Sequence, residues 1–398
     1  MNIKEKIKER AAAIHRDIIE CRRYLHAHPE LSFKEFNTSA FLKEKLKALE
    51  IPFHEAGGTG IVAIIKGKKE GTRVIAIRTD MDALPITEEN DTTYVSTNPG
   101  VMHACGHDVH MASLLGTATI LKTLEADFGG TVKLLFQPGE EVLPGGASLL
   151  IRDGALENPK PDIILGQHVS PYLPAGTIGI RSGNFMASMD ELFVTVHGRG
   201  GHAAQPQDNI DPVMITAALL MQLQQIVSRR ANPLTPTVLS FGKIEGRGAI
   251  NIIPDKVTLE GTFRTMDEKW RQEAHLLIKK IATESAAAMG GRCDITINKG
   301  YPVLYNNPGV ARNTAALAKE YLSGDKVLEV DAWMASEDFA SYSQLIPSCF
   351  YLLGIADPQK SSAPSLHTSR FDIDEKALQL NTGLMAYLTI HLLNESAG

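Results

Sequence analysis

The spacing of apolar residues predicts a helical N-terminal region. Between residues 3 and 27, apolar side chains such as Ile7 and Ile18 recur at nearly helical intervals, and Pro29 ends this pattern. Residues 37–49 show a second amphipathic pattern with the same period. These two stretches predict one long and one shorter helix ahead of the first strand.

A different pattern follows, in which short apolar runs alternate with a helical stretch. The runs lie at residues 60–66, 73–78, 131–136 and 162–166, and glycine or polar residues bound them. Apolar runs of this length are typical of strands buried on both faces of a parallel sheet. The apolar stretch after His110, as far as Leu124, predicts a helix between the second and third strands. We therefore expect an α/β fold with a mostly parallel sheet.

Near Gly183 the pattern changes to strands in which apolar and polar residues alternate, as expected when one sheet face meets water. Strands and helices then follow in the order βαββαβ at residues 191–197, 211–229, 237–242, 256–264, 267–289 and 293–298. This order is that of a ferredoxin-like unit. We therefore predict a first part at 1–184, an inserted ferredoxin-like domain at 185–296, and a second part at 297–398 that rejoins the first.

Composition argues against several classes of function. The 398-residue chain has a formal net charge of −6, so it lacks the basic surface on which nucleic-acid binding depends. No apolar run reaches the ~18 residues of a membrane helix, and no apolar signal region follows the charged N-terminus. Four widely spaced cysteines indicate reduced thiols in the cytoplasm. We expect Cys21, Cys293 and Cys349 to lie in the core.

The segment Met102–His110 contains five potential metal ligands or ligand partners within nine residues. They are His103, Cys105, His107, Asp108 and His110. Zinc and similar divalent metals prefer thiolate and imidazole, and a Cys-x-His spacing supplies two ligands from one turn of chain. A buried free cysteine beside exposed loop histidines is the alternative. The density of ligand types favours a metal site.

Carboxylate or imidazole groups follow three successive predicted strands. Asp80 and Asp82 follow the second strand, Glu140 and Glu141 the third, and His168 the fourth. In open α/β sheets, ligands bind at the carboxyl ends of the strands. Since Glu140 and Glu141 are adjacent, their side chains diverge, which favours one as a metal ligand and the other as a proton acceptor. A charged loop and a hydrogen-bonded core histidine remain the structural alternatives.

The other histidines have weaker support from the neighbouring residues. His26 and His28, beside Pro29, are interpreted as helix-end structure. His202 lies in the inserted domain and is not expected to bind metal directly. His367 lies in a predicted loop, and its local sequence alone does not indicate a metal ligand.

Three stretches resemble those of metal-dependent amidohydrolases, namely Arg78–Pro85, Met102–His110 and Phe136–Glu141. Further matches are Gly200–Ala204, Asn251–Pro254 and Gly261–Arg264, so the resemblance covers nearly the whole chain. The group contains hippurate hydrolases, N-acyl-amino-acid deacylases and plant indoleacetyl-amino-acid hydrolases, within the larger aminoacylase and carboxypeptidase family.

The resemblance implies a site for two divalent ions, which would be zinc, manganese, cobalt or nickel. The implied ligands are Cys105, His107, Glu141, His168 and His367. Glu140 is the implied general base, and Asn251 and Arg264 are the implied binders of the substrate carboxylate. His202 is implied to reach the site of a neighbouring subunit, in a homodimer or a dimer of dimers.

One departure from the wider family concerns Asp80 and Asp82. The family has His-x-Asp where this chain has Asp80-Met81-Asp82. Asp80 is therefore not assigned as a ligand, and Asp82 is expected to stand behind an imidazole and orient it.

The expected function is hydrolysis of the amide bond of an N-acyl amino acid. A dipeptidase or carboxypeptidase of the same family is the enzymatic alternative, since its substrates also present an amide near a carboxylate. A ligand-binding relative without catalysis is the third hypothesis, and the presence of Glu140 argues against it.

Overall fold

A computed structural model describes residues 1–357, 359 and 364–394 of the chain. Over these residues the chain forms two compact units. The first unit comprises Met1–Gly183, Tyr305–Asp331 and the described part of Asp338–Gly398, and the second comprises Asn184–Leu304 and Ala332–Glu337. The chain therefore leaves the first unit twice and returns to it twice.

The helices and strands of the first unit alternate over most of its length. Its helices are α1 (Ile3–Ala13), α2 (His15–Ala27), α3 (Phe36–Ala48), α4 (His107–Thr123), α5 (Gly146–Arg152), α8 (Pro308–Tyr321), α9 (Ala340–Ser343) and α10 (Lys376–Asn394). Its strands are β1 (Phe53–Ala56), β2 (Gly60–Lys66), β3 (Lys69–Asp80), β4 (Gly129–Gln137), β5 (Ile163–Pro174), β6 (Ile178–Ile180), β15 (Val327–Glu329) and β16 (Ser348–Ala356). The chain passes between the units within β7 (Gly183–Met186) and β14 (Leu304–Asn306).

The strands of the first unit form one mixed sheet in the order β1-β2-β4-β3-β5-β16-β6-β15. The four central strands β4, β3, β5 and β16 run parallel to one another. The pairs β1–β2, β2–β4 and β16–β6 are antiparallel, and β15 is parallel to β6. The prediction of an α/β fold with a mainly parallel central sheet is confirmed. Since β4, β3 and β5 are adjacent and parallel, their carboxyl ends meet at one edge.

The strand containing His168 is longer than predicted. The apolar run predicted a strand over 162–166, and the glycine and proline spacing around 171–176 predicted a loop there. In the structure β5 continues to Pro174, because β16 pairs with it from Ile164 onward. The prediction of a loop at 171–176 is therefore wrong for residues 171–174. Pairing with a distant partner strand extends β5 beyond the length that its own apolar run indicates.

The predicted N-terminal helix over 3–27 is divided in two. Helix α1 begins with a capping box, in which Asn2 and Glu5 exchange hydrogen bonds, and it ends at Ile14, whose φ and ψ are −94° and 0°. Helix α2 then runs from His15 and ends before Pro29. The break at Ile14 leaves the apolar period nearly unchanged, which is why the sequence pattern did not reveal it.

Helix α4 lies in the hydrophobic core of the first unit and is buried along most of its length. Leu115 of α4, Ile77 of β3 and Leu388 of α10 belong to one buried cluster. A helix that is buried on all sides is expected to be apolar all round, as this one is after His110.

The second unit contains a four-stranded antiparallel sheet with the order β10-β12-β8-β13. Its strands are β8 (Ser188–His197), β9 (Gly201–His202), β10 (Thr237–Glu245), β11 (Ile252–Ile253), β12 (Lys256–Thr265) and β13 (Arg292–Lys299). Its helices are α6 (Pro212–Gln225), which continues as a π-turn at Ile226–Arg230, and α7 (Glu268–Ala288). Along β8 buried and partly exposed residues alternate, so one face of this sheet packs on the helices.

The burial of the cysteines and the polarity of the helices can be compared with the sequence. Cys21, Cys293 and Cys349 are buried and unpaired, as predicted for core residues. Within the described residues, every helix is too short or too polar to cross a membrane.

Candidate metal centre and active site

The segment before α4 brings Cys105 and His107 to the edge where the central strands end. Gly106, between them, has a φ of +82°, a conformation that favours glycine. A Cβ at this position would lie 2.4 Å from Cγ2 of Val169, so the backbone also passes too close to β5 for a side chain. Gly106 therefore allows Cys105 and the first residue of the helix to face the same place.

Five side chains converge there and are called the ligand cluster. They are Cys105, His107, Glu141, His168 and His367. The Cys105 Sγ lies 3.3 Å from Nε2 of His168 and 3.2 Å from Nε2 of His367. The Oε1 of Glu141 lies 3.3 Å from Nε2 of His367 and 4.0 Å from Nε2 of His107. The structure thus brings together all five residues that the resemblance implied as ligands.

The cluster is buried on the protein side and is open to solvent mainly at His367. Cys105, His107 and His168 are buried, whereas the side chain of His367 is 51% exposed. Burial raises the pKa of the Cys105 thiol well above its ordinary value, and the neighbouring carboxylates of Glu141 and Glu140 add to this shift. A bound cation would reverse that effect, because a metal ion favours the thiolate.

A metal ion fits this donor set. Nε2 of His107 and Oε1 of Glu141 are buried and form no hydrogen bond with any described residue. An unsatisfied buried polar atom costs about 1–3 kcal/mol, and a cation between these atoms would remove that cost. Thiolate, imidazole and carboxylate together suit zinc and the neighbouring divalent transition metals.

Hydrogen bonds on the far side of the imidazoles orient them toward the centre of the cluster. Nδ1 of His107 lies 2.8 Å from the backbone carbonyl of Asp82, and Nδ1 of His168 lies 2.8 Å from the carbonyl of Val169. A carbonyl only accepts, so Nδ1 carries the proton in each ring. Nε2 of both histidines is then left as an electron-pair donor for a metal.

The carboxylate of Asp82 joins the helix side of the site to the glutamate pair. It accepts the backbone N–H groups of Glu140 and Glu141 at 3.0 and 3.1 Å, and its Oδ1 lies 3.3 Å from Nδ1 of His107. Burial opposes ionisation of Asp82, but the hydrogen bonds from His107 and Ser32 and the charge of His107 lower its pKa. Asp82 thus orients an imidazole and also holds the loop that contains both glutamates.

Asp80 has other partners. Its Oδ1 lies 2.6 Å from Nδ1 of His110, and its Oδ2 accepts Nη1 of Arg78 at 2.7 Å. Nε2 of His110 in turn accepts the N–H of Val169 at 3.0 Å. Both ring nitrogens of His110 are therefore occupied, and Asp80 acts on the site through its negative charge, 3.8 Å from Nε2 of His107.

Residues of the Met102–His110 motif therefore lie in two different polar clusters. Cys105 and His107 belong to the ligand cluster, whereas Asp108 pairs with Arg22 at 2.8 Å and with Nδ1 of His26 at 2.7 Å. His26 also contacts Glu88 at 3.1 Å. His26 does lie near the end of α2, as interpreted, but it is fully buried in this ion-pair network.

Asp338, which the sequence patterns did not indicate, lies beside Glu140. Its backbone N–H is 3.4 Å from Oε1 of Glu140, and its carboxylate accepts Arg78 at 2.6 Å and the side-chain amide of Gln137 at 2.7 Å. Arg78 thereby links the ends of β3 and β4 to Asp338, which lies 260 residues after Arg78. No local pattern marks Asp338, because its partners are distant in sequence.

The remaining predicted residues belong to the second unit. His202 is exposed on β9, which pairs with β11, and the N–H of Ala203 donates to the carbonyl of Asn251 at 3.0 Å. Arg264 is half-buried on β12 and donates to the carbonyl of Met334 at 3.0 Å. Among the described residues it has no carboxylate partner, and burial lowers the pKa of its guanidinium.

Comparisons with known proteins agree on one family. The sequence model of peptidase family M20/M25/M40 matches residues 76–390. An N-acyl-L-amino acid amidohydrolase of Geobacillus stearothermophilus is 41% identical over 312 residues, which cover 78% of this chain and 84% of that protein. Thermostable carboxypeptidase 2 of Saccharolobus solfataricus is 36% identical over 399 residues, covering 99% of this chain and 100% of that protein.

A solved structure from Bacillus subtilis, described as a dinuclear metal-binding peptidase of the M20 family, has a TM-score of 0.83 and 32% identity. The match covers 96% of this chain and 99% of that one. The resemblance inferred from the sequence motifs is therefore confirmed at the level of the family.

Proposed function

This chain belongs to peptidase family M20/M25/M40, and we propose that it hydrolyses N-acyl amino acids to a carboxylic acid and a free amino acid. This proposal rests on the convergence of the ligand cluster beside Glu140. Within the cluster, Nε2 of His107 and Oε1 of Glu141 are buried and have no hydrogen bond with a described residue. The amidohydrolase relative supports the choice of substrate class.

We propose that the ligand cluster holds two divalent ions, drawn from zinc, manganese, cobalt and nickel. The overlapping groups within it support this number, since one contains Cys105, His107 and His168 and another contains Cys105, Glu141 and His367. When bound, such ions supply Lewis acidity, which polarises an amide carbonyl and acidifies water.

Glu140 is assigned as the general base. It is buried, directly precedes Glu141, and lies with His107 and Glu141 in one group of close donor atoms. Its carboxylate would accept a proton from the attacking water and return it to the leaving amine. The backbone N–H of Asp338 near Oε1 of Glu140, together with Asp82 on its own N–H, supports a fixed position for this group.

Arg264 and Asn251 are proposed to bind the substrate carboxylate, and His202 is proposed to polarise the scissile carbonyl in the site of a second copy. The absence of a carboxylate partner for Arg264 among the described residues supports an anionic ligand, because a planar guanidinium suits bidentate carboxylate binding. The exposure of His202 is compatible with action on a neighbouring chain.

We propose the predicted division at 1–184, 185–296 and 297–398, with the middle part as a lid and dimerisation domain. Its sheet exposes the edge strands β10 and β13, which could pair with a second copy to give a homodimer or a dimer of dimers. The four buried, unpaired cysteines support a reducing location such as the cytoplasm.

The carboxypeptidase relative makes peptide hydrolysis the second candidate. A panel of acetyl-, benzoyl- and long-chain acyl amino acids, assayed beside dipeptides with a free amine, separates the two functions. We expect turnover of acylated substrates with each of several divalent ions. Faster turnover of the free-amine peptides would instead assign the chain to the peptidases.

A further inference from the structure

The loop between α2 and α3, residues 30–35, contacts both backbone segments that carry the glutamate pair and Asp82. The carbonyl of Glu30 accepts the N–H of Ala83 at 2.8 Å, and the hydroxyl of Ser32 donates to Oδ2 of Asp82 at 2.6 Å. None of these residues belongs to the ligand cluster. The loop therefore touches the site only from behind.

Glu35 ends this loop and is fully buried. Its Oε1 accepts the backbone N–H of Gly139 at 2.8 Å and that of Phe33 at 2.9 Å, and its Oε2 accepts the hydroxyl of Thr59 at 2.6 Å. Among the described residues no lysine, arginine or histidine pairs with it, and burial raises its pKa. A buried carboxylate without a cation is costly to keep, so its three donors must compensate.

The backbone around Gly139 depends on this contact. Phe33 has a φ of +62° and Gly139 a φ of +54°, both in the left-handed region. A Cβ on Gly139 would lie 2.2 Å from Cε1 of Phe33, so the aromatic ring packs directly on the glycine. Glu35 binds both of these N–H groups and so holds the unfavourable conformation of Phe33 against Gly139, whose own φ suits glycine.

We propose that Glu35 is a positioning residue for Glu140: its carboxylate fixes Gly139 and thereby sets the place of the general base. This inference rests on the proposed function, because it takes Glu140 as the proton acceptor. Glu140 follows Gly139 directly, and the backbone N–H of Glu140 donates to Asp82. The carboxylates of Glu35 and Asp82 therefore hold two successive N–H groups and fix the backbone that positions the Glu140 side chain. Position 35 therefore requires the length of the glutamate side chain, and not its negative charge.

The test compares Glu35→Asp with Glu35→Gln in the full-length, metal-loaded protein. Asp keeps the charge but retracts by one methylene, so it cannot hold Gly139 and Thr59 together. Gln keeps the length, with an oxygen for both N–H groups and an amide that can donate to Thr59. We expect kcat to fall about 10- to 100-fold in the Asp variant with little change in KM, because misplacing a catalytic group by about 1 Å has effects of that size. The Gln variant should retain most of the native kcat.

Glu30→Asp is the matched control. Glu30 lies in the same loop and also binds backbone N–H groups with its carboxylate, those of Asn37 and Thr38, but its carboxylate has no contact with residues 138–141. Its kcat per metal-loaded chain should equal the native value. Amide hydrogen exchange of the 138–141 segment should accelerate in Glu35→Asp and not in Glu30→Asp.

Two results would overturn the inference. One is a native kcat in Glu35→Asp, and the other is a Gln variant as impaired as the Asp variant. If Glu35→Asp does not fold, Thr59→Val removes one donor only and should lower kcat by a smaller factor, with faster exchange at 138–141; native values for both would also overturn it. If the native chain fails to hydrolyse any N-acyl amino acid, the proposed function fails, and hydrogen exchange still decides whether Glu35 fixes the segment.

Discussion

Two buried polar clusters, one in each unit, differ in how completely their atoms are satisfied. In the second unit, Asp190 accepts two hydrogen bonds from Arg271 at 2.6 and 2.9 Å and one from His275 at 2.6 Å. The N–H of Gly300 adds another at 3.2 Å, and Arg271 also donates to Glu268. This set is called the Asp190 cluster. Every charged group in it has an internal partner.

The ligand cluster of the first unit is buried at Cys105, His107 and His168, but it leaves potential metal-binding atoms without hydrogen bonds. Nε2 of His107 and Oε1 of Glu141 have no hydrogen bond with a described residue, although Nδ1 of His107 and the backbone N–H of Glu141 are both bonded to Asp82. Native proteins rarely leave such atoms unsatisfied in their interior. The comparison shows that buried charge alone does not mark a functional site. In the ligand cluster, the unused atoms belong to two of five potential metal ligands that converge on one place.

The largest effect is expected for Glu140→Gln. The substitution preserves size but removes the proton acceptor, and general-base contributions are worth about 10²–10⁴ in rate. The variant should keep its bound metal, because Glu140 is not among the proposed ligands. Metal content and kcat measured on the same preparation check this. A nearly native kcat would remove Glu140 from the mechanism.

A ligand substitution should act on metal binding. Cys105→Ser replaces the thiol that lies within 3.3 Å of two cluster histidines with a much poorer ligand for zinc-like metals. Loss of even an outer partner costs about 10- to 100-fold in affinity, so we expect at least that from Cys105→Ser. Competition with a chelator gives the dissociation constants. Equal metal affinities of the native chain and Cys105→Ser would contradict the assignment of the ligand cluster as a metal site.

Subunit mixing tests the role of the second unit in catalysis. Glu140→Gln and His202→Ala chains, each inactive alone, should recover activity after exchange, since one site of each mixed dimer then has both groups. Random pairing in two-fold dimers predicts roughly a quarter of the native activity. Mass analysis of the dimers provides the control for exchange. Mixed dimers without activity would show that His202 does not act on the neighbouring chain.

The smallest catalytic effect is expected from the Asp190 cluster. Asp190→Asn leaves Arg271 buried without its main partner, which should lower the free energy of unfolding by about 3 kcal/mol. Metal content and kcat should not change. Thermal unfolding and metal analysis of one preparation separate these effects, and loss of metal in this variant would contradict the structural assignment of the cluster.

The same cluster makes a prediction about pH. Burial opposes ionisation of Asp190, but the hydrogen bonds from His275 and Arg271 lower its pKa below the ordinary value. A lowered folded-state pKa adds stability above the unfolded value of about 3.9, and this stability is lost as pH falls through the folded pKa. The difference in stability between the native chain and Asp190→Asn should therefore shrink below about pH 4. A constant difference would contradict this.

The parts of the fold that local patterns encode were predictable. Buried runs such as residues 73–78 appear as central strands, and the ligand types in Met102–His110 indicated metal chemistry. What depends on distant partners was not predictable. The extension of β5 requires β16, and the place of Asp338 beside Glu140 requires a contact across nearly two hundred residues. Glu35 was missed for the same reason, since nothing near it in sequence indicates Gly139 as its partner.

We propose that the ligand cluster binds two divalent ions beside Glu140. A cobalt titration of metal-free protein tests this by following the thiolate-to-cobalt absorption and the hydrolysis of an N-acyl amino acid in one sample. We predict that both signals rise with added cobalt, that binding saturates at two ions per chain, and that Cys105→Ser lacks the thiolate absorption. Native rates of hydrolysis by metal-free protein, or saturation of cobalt binding without any thiolate absorption, would contradict a two-metal site that contains Cys105.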